Sequence, residues 1–186
     1  MNLPYSIVTT LFIAFVVWLG AYVQPGNAGV PAGTEPRAPQ NTAESTLYSA
    51  TEIEQRFQLI KLSGITAALP LKDVTILWDR FTRQERLHQH LNTPSPDVYV
   101  LYRQFSEDFT QARITIGYKQ TELEDSEDRT TYIPAGIYHP LPAPDGDITK
   151  AWSQIDFNRK PLAVIEQFRL SPSGELNAPK LFVLYK

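Results

Sequence analysis

Glu166 is the residue whose position in the sequence is most typical of a functional group. Read as a β-strand, the segment 162–170 places alternate side chains on two faces. One of these faces carries Leu162, Val164, Glu166, Phe168 and Leu170. An acid within an apolar face is costly to bury unless it is paired or hydrogen-bonded, so the pattern indicates a binding or catalytic role. A shifted register, a face open to water or a structural ion pair would also account for it.

Aromatic side chains concentrate on the predicted elements around this acid. The candidates for a site with Glu166 are Trp78, Tyr102, Tyr118, Tyr138, Trp152 and Phe168, and Tyr185 completes the aromatic set. Ring faces attract cations, and a carboxylate neutralises them, so the combination predicts a cleft for a lipophilic or cationic small molecule. Ordinary core packing explains most of these residues individually, because a domain of this size buries several aromatic side chains.

The remaining titratable residues form no recognisable catalytic or metal-binding motif. His88 and His90 lie two positions apart in a predicted helix, which separates them by about 200° around its axis. The sequence has no cysteine, no H-E-x-x-H and no G-x-S-x-G. We therefore expect no metal, no cofactor and no assigned catalytic residue. The acidic run within 122–128 lacks the spacing of a calcium loop and reads as solvated.

Charge and composition restrict the class of partner. The 186 residues include 17 Lys and Arg against 20 Asp and Glu, which gives a formal net charge of -3. This balance argues against nucleic-acid binding through a dominant basic patch. Hydrophobic residues make up 42% of the chain, as is usual for a protein with a packed core. Composition by itself does not name a function.

The N-terminal segment predicts attachment to a membrane. No charged residue occurs before Glu35, and residues 3–23 are almost entirely apolar. As a helix this run would be about 31 Å long, enough to cross a bilayer core, so we predict a single-pass anchor over residues 1–23. Its orientation stays open, since Arg37 is the only basic residue nearby. A cleaved signal peptide is the alternative, although the run is long and no Lys or Arg precedes it.

Two further regions follow the predicted anchor. Residues 24–50 are rich in Pro, Gly and Ala without apolar periodicity, which is typical of a flexible linker. Residues 51–186 contain apolar patterns throughout and are long enough to bury a core, so they predict a folded domain.

This domain reads as the same order of elements twice: strand, helix, strand, strand. In the first half we predict a strand over 57–68 with a bulge or bend at Gly64, a helix within 71–91, and strands over 98–105 and 112–119. In the second half we predict a strand over 132–140 broken at Pro134 and Gly136, a helix from Asp147 as N-cap, and strands over 162–170 and 180–186.

Four segments in this order carry a family resemblance. They are LWDRF (77–81), VYVLYRQFSEDF (98–109) leading into ARITIGY (112–118), IPAGIY (133–138) and IEQF (165–168). In these segments the domain resembles the GyrI-like (gyrase-inhibitor-like) effector-binding domains, which also occur behind the DNA-binding parts of AraC- and MerR-type regulators. The resemblance implies an α+β fold, a duplicated strand-helix-strand-strand unit that forms an antiparallel-rich sheet with helices on one side.

The resemblance also implies where a ligand would bind. In the family, ligands occupy a groove between the two halves, and an acid in the late strand contacts cationic ligands. That acid corresponds to Glu166, while Phe168 stands where the family often has Tyr, so a hydroxyl is missing. Some relatives are hydrolases that use the same acid with a Trp, for which Trp78 and Trp152 are the candidates. No helix-turn-helix precedes the domain in this sequence, so direct control of transcription is not expected.

These observations lead to one functional hypothesis and two alternatives. We expect a membrane-tethered small-molecule-binding module, a binding protein rather than an enzyme, in which Glu166 and the aromatic cleft hold a lipophilic or cationic ligand. The first alternative is a hydrolase with Glu166 as general base on water. The second is a protein-interaction module of the gyrase-inhibitor type.

The predicted anchor can be tested by fractionation. Full-length protein expressed in bacteria is expected to stay in the membrane fraction after carbonate or high-salt washing, because salt does not screen apolar burial. Intact-mass analysis should find an N-terminus at Met1 or Asn2. A mature N-terminus near Gly29 would show a cleaved signal peptide instead.

Overall fold

The computed structural model describes residues 54–124, 130–177 and 179–186. The predicted anchor (1–23) and linker (24–50) lie outside these residues, and so do the first three residues of the predicted domain. Within the described ranges, no helix is both long enough and apolar enough to cross a membrane.

The described residues form a mixed α/β fold around one antiparallel sheet. The strands are β1 (Gln55–Phe57), β2 (Ile60–Pro70), β3 (Asp97–Arg103), β4 (Gln111–Lys119), β5 (Thr130–Ile133), β6 (Gly136–Leu141), β7 (Pro161–Arg169) and β8 (Lys180–Tyr185). Their order across the sheet is β1-β6-β8-β7-β3-β4-β2-β5. The predicted antiparallel sheet is therefore confirmed, and β3 and β7 are the strands at its centre.

Three short α-helices accompany the sheet: α1 (Val74–Thr82), α2 (Glu85–Gln89) and α3 (Ile148–Trp152). The prediction of one helix within 71–91 is wrong, because the chain leaves the helical path at Arg83 and Gln84. In a continuous helix the Phe81 carbonyl would accept from Glu85; here it accepts from the Gln84 N–H and pairs with His88 Nε2 at 2.9 Å. Asp147 caps α3 as predicted, accepting from the Thr149 N–H at 2.9 Å.

The sheet buries both of its faces. We call the first cluster the helix-side core; it consists mainly of Leu77, Trp78, Phe81, Val98, Val100, Tyr102, Ile114, Ile116, Tyr118, Ala151, Trp152, Val164, Phe168, Leu181 and Val183. We call the second the inner core; it consists of Phe57, Leu62, Tyr99, Leu101, Ile133, Tyr138, Ala163, Ile165 and Phe182. Because α1 and α3 both contribute to the helix-side core, the helices pack on the same face of the sheet.

The sheet is strongly curled, and the chain path shows why. Two residues, Gln58 and Leu59, connect β1 to β2, and Pro134 and Ala135 connect β5 to β6. Each connection joins strands that stand near opposite ends of the strand order. Side chains from both ends meet in the inner core. The curl therefore brings the two ends of the sheet together around that core.

Two of the predicted strands differ in detail. The predicted strand over 132–140 is two strands, β5 and β6, which belong to opposite ends of the sheet. The expected bulge at Gly64 is absent, since β2 pairs with β4 in an unbroken register in which Gly64 faces Gly117. The glycine serves close backbone approach instead: a Cβ on Gly64 would collide with the Ile116 carbonyl oxygen.

Substitution of Gly64 tests this reading of the strand. Gly64→Ala places a methyl group against rigid backbone, so we expect a loss of about 1–3 kcal/mol or more in the free energy of unfolding, measured by urea denaturation. Gly136→Ala is the control, because its Cβ would meet a terminal carbon of the Leu184 side chain at 2.8 Å, which can move. Equal losses in the two variants would contradict the close approach at Gly64.

Candidate functional site

Glu166 lies in the middle of β7 and points into the helix-side core. Its Cα partners are Val100 in β3 and Leu181 in β8, and the residue is 6% exposed. Val164 and Phe168 share its face, as predicted. Leu162 does not, because the β7–β8 register shifts between Pro161 and Ala163 and leaves it 44% exposed. The acid is therefore buried within an apolar face, which excludes the alternatives of a register slip at Glu166 and of a face open to water.

Two aromatic side chains hold the carboxylate. Trp152 Nε1 donates to Glu166 Oε1 at 2.6 Å, and the Tyr102 hydroxyl donates to the same oxygen at 3.2 Å. The two rings also pack edge to face with centroids 4.9 Å apart. No cation among the described residues forms a salt bridge with Glu166, and none of those residues donates to Oε2. Among the described residues, protein hydrogen bonds to the carboxylate therefore reach one oxygen only.

Burial has a clear effect on the ionisation of this group. It raises the pKa of Glu166 to about 7, although the hydrogen bonds from Trp152 and Tyr102 act in the opposite direction. Burial, with the nearby carboxylate, also raises the pKa of Tyr102 well above its usual value, so this tyrosine remains a donor. Near neutral pH the carboxyl is divided between its two protonation states, and a modest change in its surroundings shifts the balance.

The other predicted residues are also buried, but the structure does not bring them all together. Trp78 from α1 packs edge to face on Phe168, two residues along β7 from the acid, with centroids 5.5 Å apart. Tyr118 pairs with His88 Nδ1 at 3.0 Å, on the α2 side of the same core. Tyr138 lies on the opposite face of the sheet, in the inner core, and donates to the Pro134 carbonyl. Tyr138 therefore does not belong to the Glu166 site.

The site is closed in this structure. The seven predicted residues, which include Glu166, are each at most 8% exposed. An open groove of about 950 Å³ does occur at the end of β3 and the start of β7, but none of the seven lines it. The predicted aromatic cleft is thus a packed cluster around the acid, and it is separate from the open groove.

A second buried acid, Asp97, was not recognised from the sequence. Arg169 donates to both of its carboxylate oxygens, at 2.9 and 3.2 Å, and Gln167 donates at 3.0 Å. Burial alone would raise the pKa of Asp97, but these hydrogen bonds and the charges of Arg169 and Lys119 hold it below the usual value. Tyr99 on the same strand donates to Asp97 at 3.4 Å, but the charged partners come from β4 and β7, so no local spacing in the sequence signals this ion-pair cluster.

The histidines do not form a metal centre in the described part of the chain. Both ring nitrogens of His88 are engaged, one with Tyr118 and one with the Phe81 carbonyl, and burial lowers its pKa. No group of three or more His, Asp or Glu side chains within the described ranges is arranged to hold a metal ion.

Comparison with known proteins adds little to this picture. No family model matches the chain, and no curated protein matches its sequence. Among solved structures, the chain is similar to an integron cassette protein from the mobile metagenome of Vibrio cholerae. That match has 15% sequence identity and a TM-score of 0.49, and it covers 72% of this chain and 94% of the other. At these values the likeness carries no inference about function, and the GyrI-like resemblance remains a prediction.

The raised pKa of Glu166 predicts a stability effect of Glu166→Gln. The folded state binds this proton more tightly than the unfolded chain does. The contribution of Glu166 is therefore most favourable below its usual pKa near 4.5 and is lost as the pH rises through about 7. Gln keeps the acceptor for Trp152 and Tyr102 without titrating. Relative to wild type, the variant should gain up to about 3 kcal/mol between pH 4 and pH 8.

Urea denaturation across this pH range measures the difference. Glu85, which is exposed on α2, supplies the control variant Glu85→Gln. Parallel profiles for wild type and Glu166→Gln would show that the carboxyl titrates alike in the folded and unfolded states.

Proposed function

We propose that this protein is a small-molecule-binding protein, tethered to a membrane, in which Glu166 recognises a lipophilic or cationic ligand. The observation that carries the proposal is a buried carboxylate with two aromatic donors on one oxygen and no paired cation in the part of the chain that the structure describes. Burial of an acid without an ion pair costs folding free energy, so such a residue indicates a functional role. A positively charged ligand would supply the ion-pair partner that Glu166 lacks among the described residues.

The local chemistry favours a cation with an apolar body. Trp152 and Tyr102 satisfy Oε1, so Oε2 is the acceptor that a ligand would use. Indole and phenol rings attract cations by their quadrupole, and the helix-side core supplies the apolar contact. Since Glu166 is 6% exposed, ligand entry requires movement of a side chain that covers Oε2, while Trp152 and Tyr102 keep their contacts with Oε1.

The arrangement of elements supports the GyrI-like interpretation. The order strand, helix, strand, strand occurs as β2-α1-β3-β4 and again as β6-α3-β7-β8. In the sheet these become β6-β8-β7 beside β3-β4-β2, two halves with mirrored strand order. Tyr102 comes from the first half, whereas Trp152 and Glu166 come from the second. The acid therefore lies where the halves meet, as expected for a groove between duplicated units.

One observation favours the alternative of a hydrolase. A carboxyl with a pKa of about 7 suits a general base, because it is partly ionised and still basic at neutral pH. The contacts favour binding over catalysis, however. Both hydrogen-bonding partners of Glu166 lie on the same oxygen; Trp152 does not titrate, and the raised pKa of Tyr102 keeps it protonated near neutral pH. Analysis of the ligand after incubation distinguishes the two: a binder returns it intact, and a hydrolase cleaves it.

Calorimetry with two matched ligands tests the proposal. 4-Phenylbutylamine carries a positive charge at neutral pH, and 4-phenylbutanol has the same body without charge. We expect the full-length chain to bind the amine better. At pH 8, Glu166→Gln should weaken the amine by about 10- to 100-fold, the scale of one or two charge-assisted contacts, and leave the alcohol nearly unchanged.

The pH dependence gives an independent check. A cation favours the ionised carboxylate, so affinity for the amine should fall about tenfold between pH 8 and pH 6 as the carboxyl of pKa about 7 takes up a proton. Glu166→Gln should abolish this dependence, and Glu85→Gln should preserve it. Equal losses for amine and alcohol would show that Glu166 acts through structure and that the binding site lies elsewhere.

A further inference from the structure

The open groove lies at the mouth of the curled sheet, at the opposite end of β3 and β7 from the Asp97 cluster. Its walls come from the end of β3, the following turn, the β5–β6 connection and the segment that enters β7. Its lining residues include Arg103, Phe109, Phe157, Lys160, Leu162 and Leu184. A volume of about 950 Å³ is at the upper end of the range for small-molecule sites, and barrel mouths are a common place for them.

Positive charge predominates on this groove. Arg103, Lys160 and Lys186 line it, whereas Glu107 is its single acidic side chain. Arg103 is half-buried, and its Nη1 donates to the Tyr132 carbonyl at 3.2 Å. No carboxylate in the described part of the chain forms a salt bridge with Arg103. The guanidinium therefore keeps donors for a further acceptor, and its planar fork suits a carboxylate or a phosphate.

The groove also exposes apolar side chains. The register shift between Pro161 and Ala163 turns Leu162 outward, where 44% of the residue is exposed. Beside it, the Phe109 ring contacts the Phe157 ring with centroids 5.1 Å apart. Bulges of this kind commonly re-aim a side chain next to a binding site. The groove is therefore lined by apolar side chains as well as basic ones.

Backbone conformation points to the same place. Among the described non-glycine residues, four have φ between 51° and 57°, and three of these line the groove: Gln104, Phe109 and Lys160. Turn closure explains the left-handed conformation, but glycine would adopt it with less strain. Three residues in a strained backbone conformation thus line the same groove, as strained residues often do at binding sites.

We propose that this groove is a second ligand site, which binds an amphipathic organic anion: a carboxylate or phosphate attached to an alkyl or aryl body. Arg103 pairs with the anion, with Lys160 supplying further positive charge. Leu162 and Phe157 contact the apolar body. A free amphiphile and the head group of an acidic lipid share this chemistry. The site is independent of Glu166, since the two have opposite charge and no lining residue in common.

Calorimetry on the full-length chain with 4-phenylbutyrate tests the proposal, and the neutral 4-phenylbutyramide is the matched control. We expect the anion to bind better than the amide. Arg103→Gln should weaken the anion by about tenfold or more, Arg103→Lys should restore part of the loss, and Leu162→Ser should weaken both ligands. Arg80→Gln removes the same charge from the exposed surface of α1 and should change the affinity less than twofold.

Three further measurements complete the test. Lys160→Gly removes a positive charge from the groove and replaces a residue of positive φ with glycine, which adopts that conformation with less strain. The variant should therefore weaken anion binding without loss of thermal stability. It keeps the proposal testable even if the Arg103 variants fold poorly. Titration with vesicles that contain phosphatidylglycerol, against phosphatidylcholine alone, shows whether the Arg103-dependent anion is also a lipid head group. Glu166→Gln should leave 4-phenylbutyrate binding unchanged. Absence of anion binding would overturn the proposal. So would an affinity that is equal for the anion and the amide and does not change when Arg103 and Lys160 are substituted.

Discussion

The pairing of β3 with β7 is the interaction on which the rest of the structure depends. Seven residue pairs, from Asp97 with Arg169 to Arg103 with Ala163, join the two halves of the sheet. Three charged residues on which the sites depend lie along this one ladder. Asp97 is at one end, Glu166 is in the middle, and Arg103 is at the other end. Without this pairing, Tyr102 would not reach Glu166, and the ends of β3 and β7 that line the groove would not lie side by side.

The two buried acids along the ladder show opposite solutions to the same electrostatic problem. Asp97 is surrounded by Arg169, Gln167 and Lys119, so its charged form is favoured and its pKa is low. Glu166 has only neutral donors, which do not offset the loss of hydration, and its pKa is raised. The negative charge of Asp97 is therefore balanced by side chains of the fold itself. The charge of Glu166 is not balanced in this way, and this difference, rather than burial alone, supports the binding role that we propose for it.

The sequence predicted the features that depend on local periodicity. Alternation along β7 placed Glu166 on the buried face, and the apolar spacing of Leu77, Trp78 and Phe81 identified the inward side of α1. It failed where a distant residue decides the local structure. The break after α1 accompanies a contact between the His88 ring and the Phe81 carbonyl, and the position of Tyr138 depends on which end of the sheet its strand joins. The anion groove was also missed, because a turn, a bulge and two strand ends build it together.

The distance along the chain between β3 and β7 has a consequence for folding. Tyr102 and Glu166 are 64 positions apart, and Asp97 and Arg169 are 72 apart. Hairpins such as β3–β4 and β7–β8 close much shorter loops and lose less chain entropy when they form. Pairing at such separations is the slow part of folding in sheet proteins, so the halves are expected to gain structure before they dock. The packed cluster around Glu166 then forms only at the last step, so a nascent or half-folded chain lacks the arrangement on which the proposed binding depends.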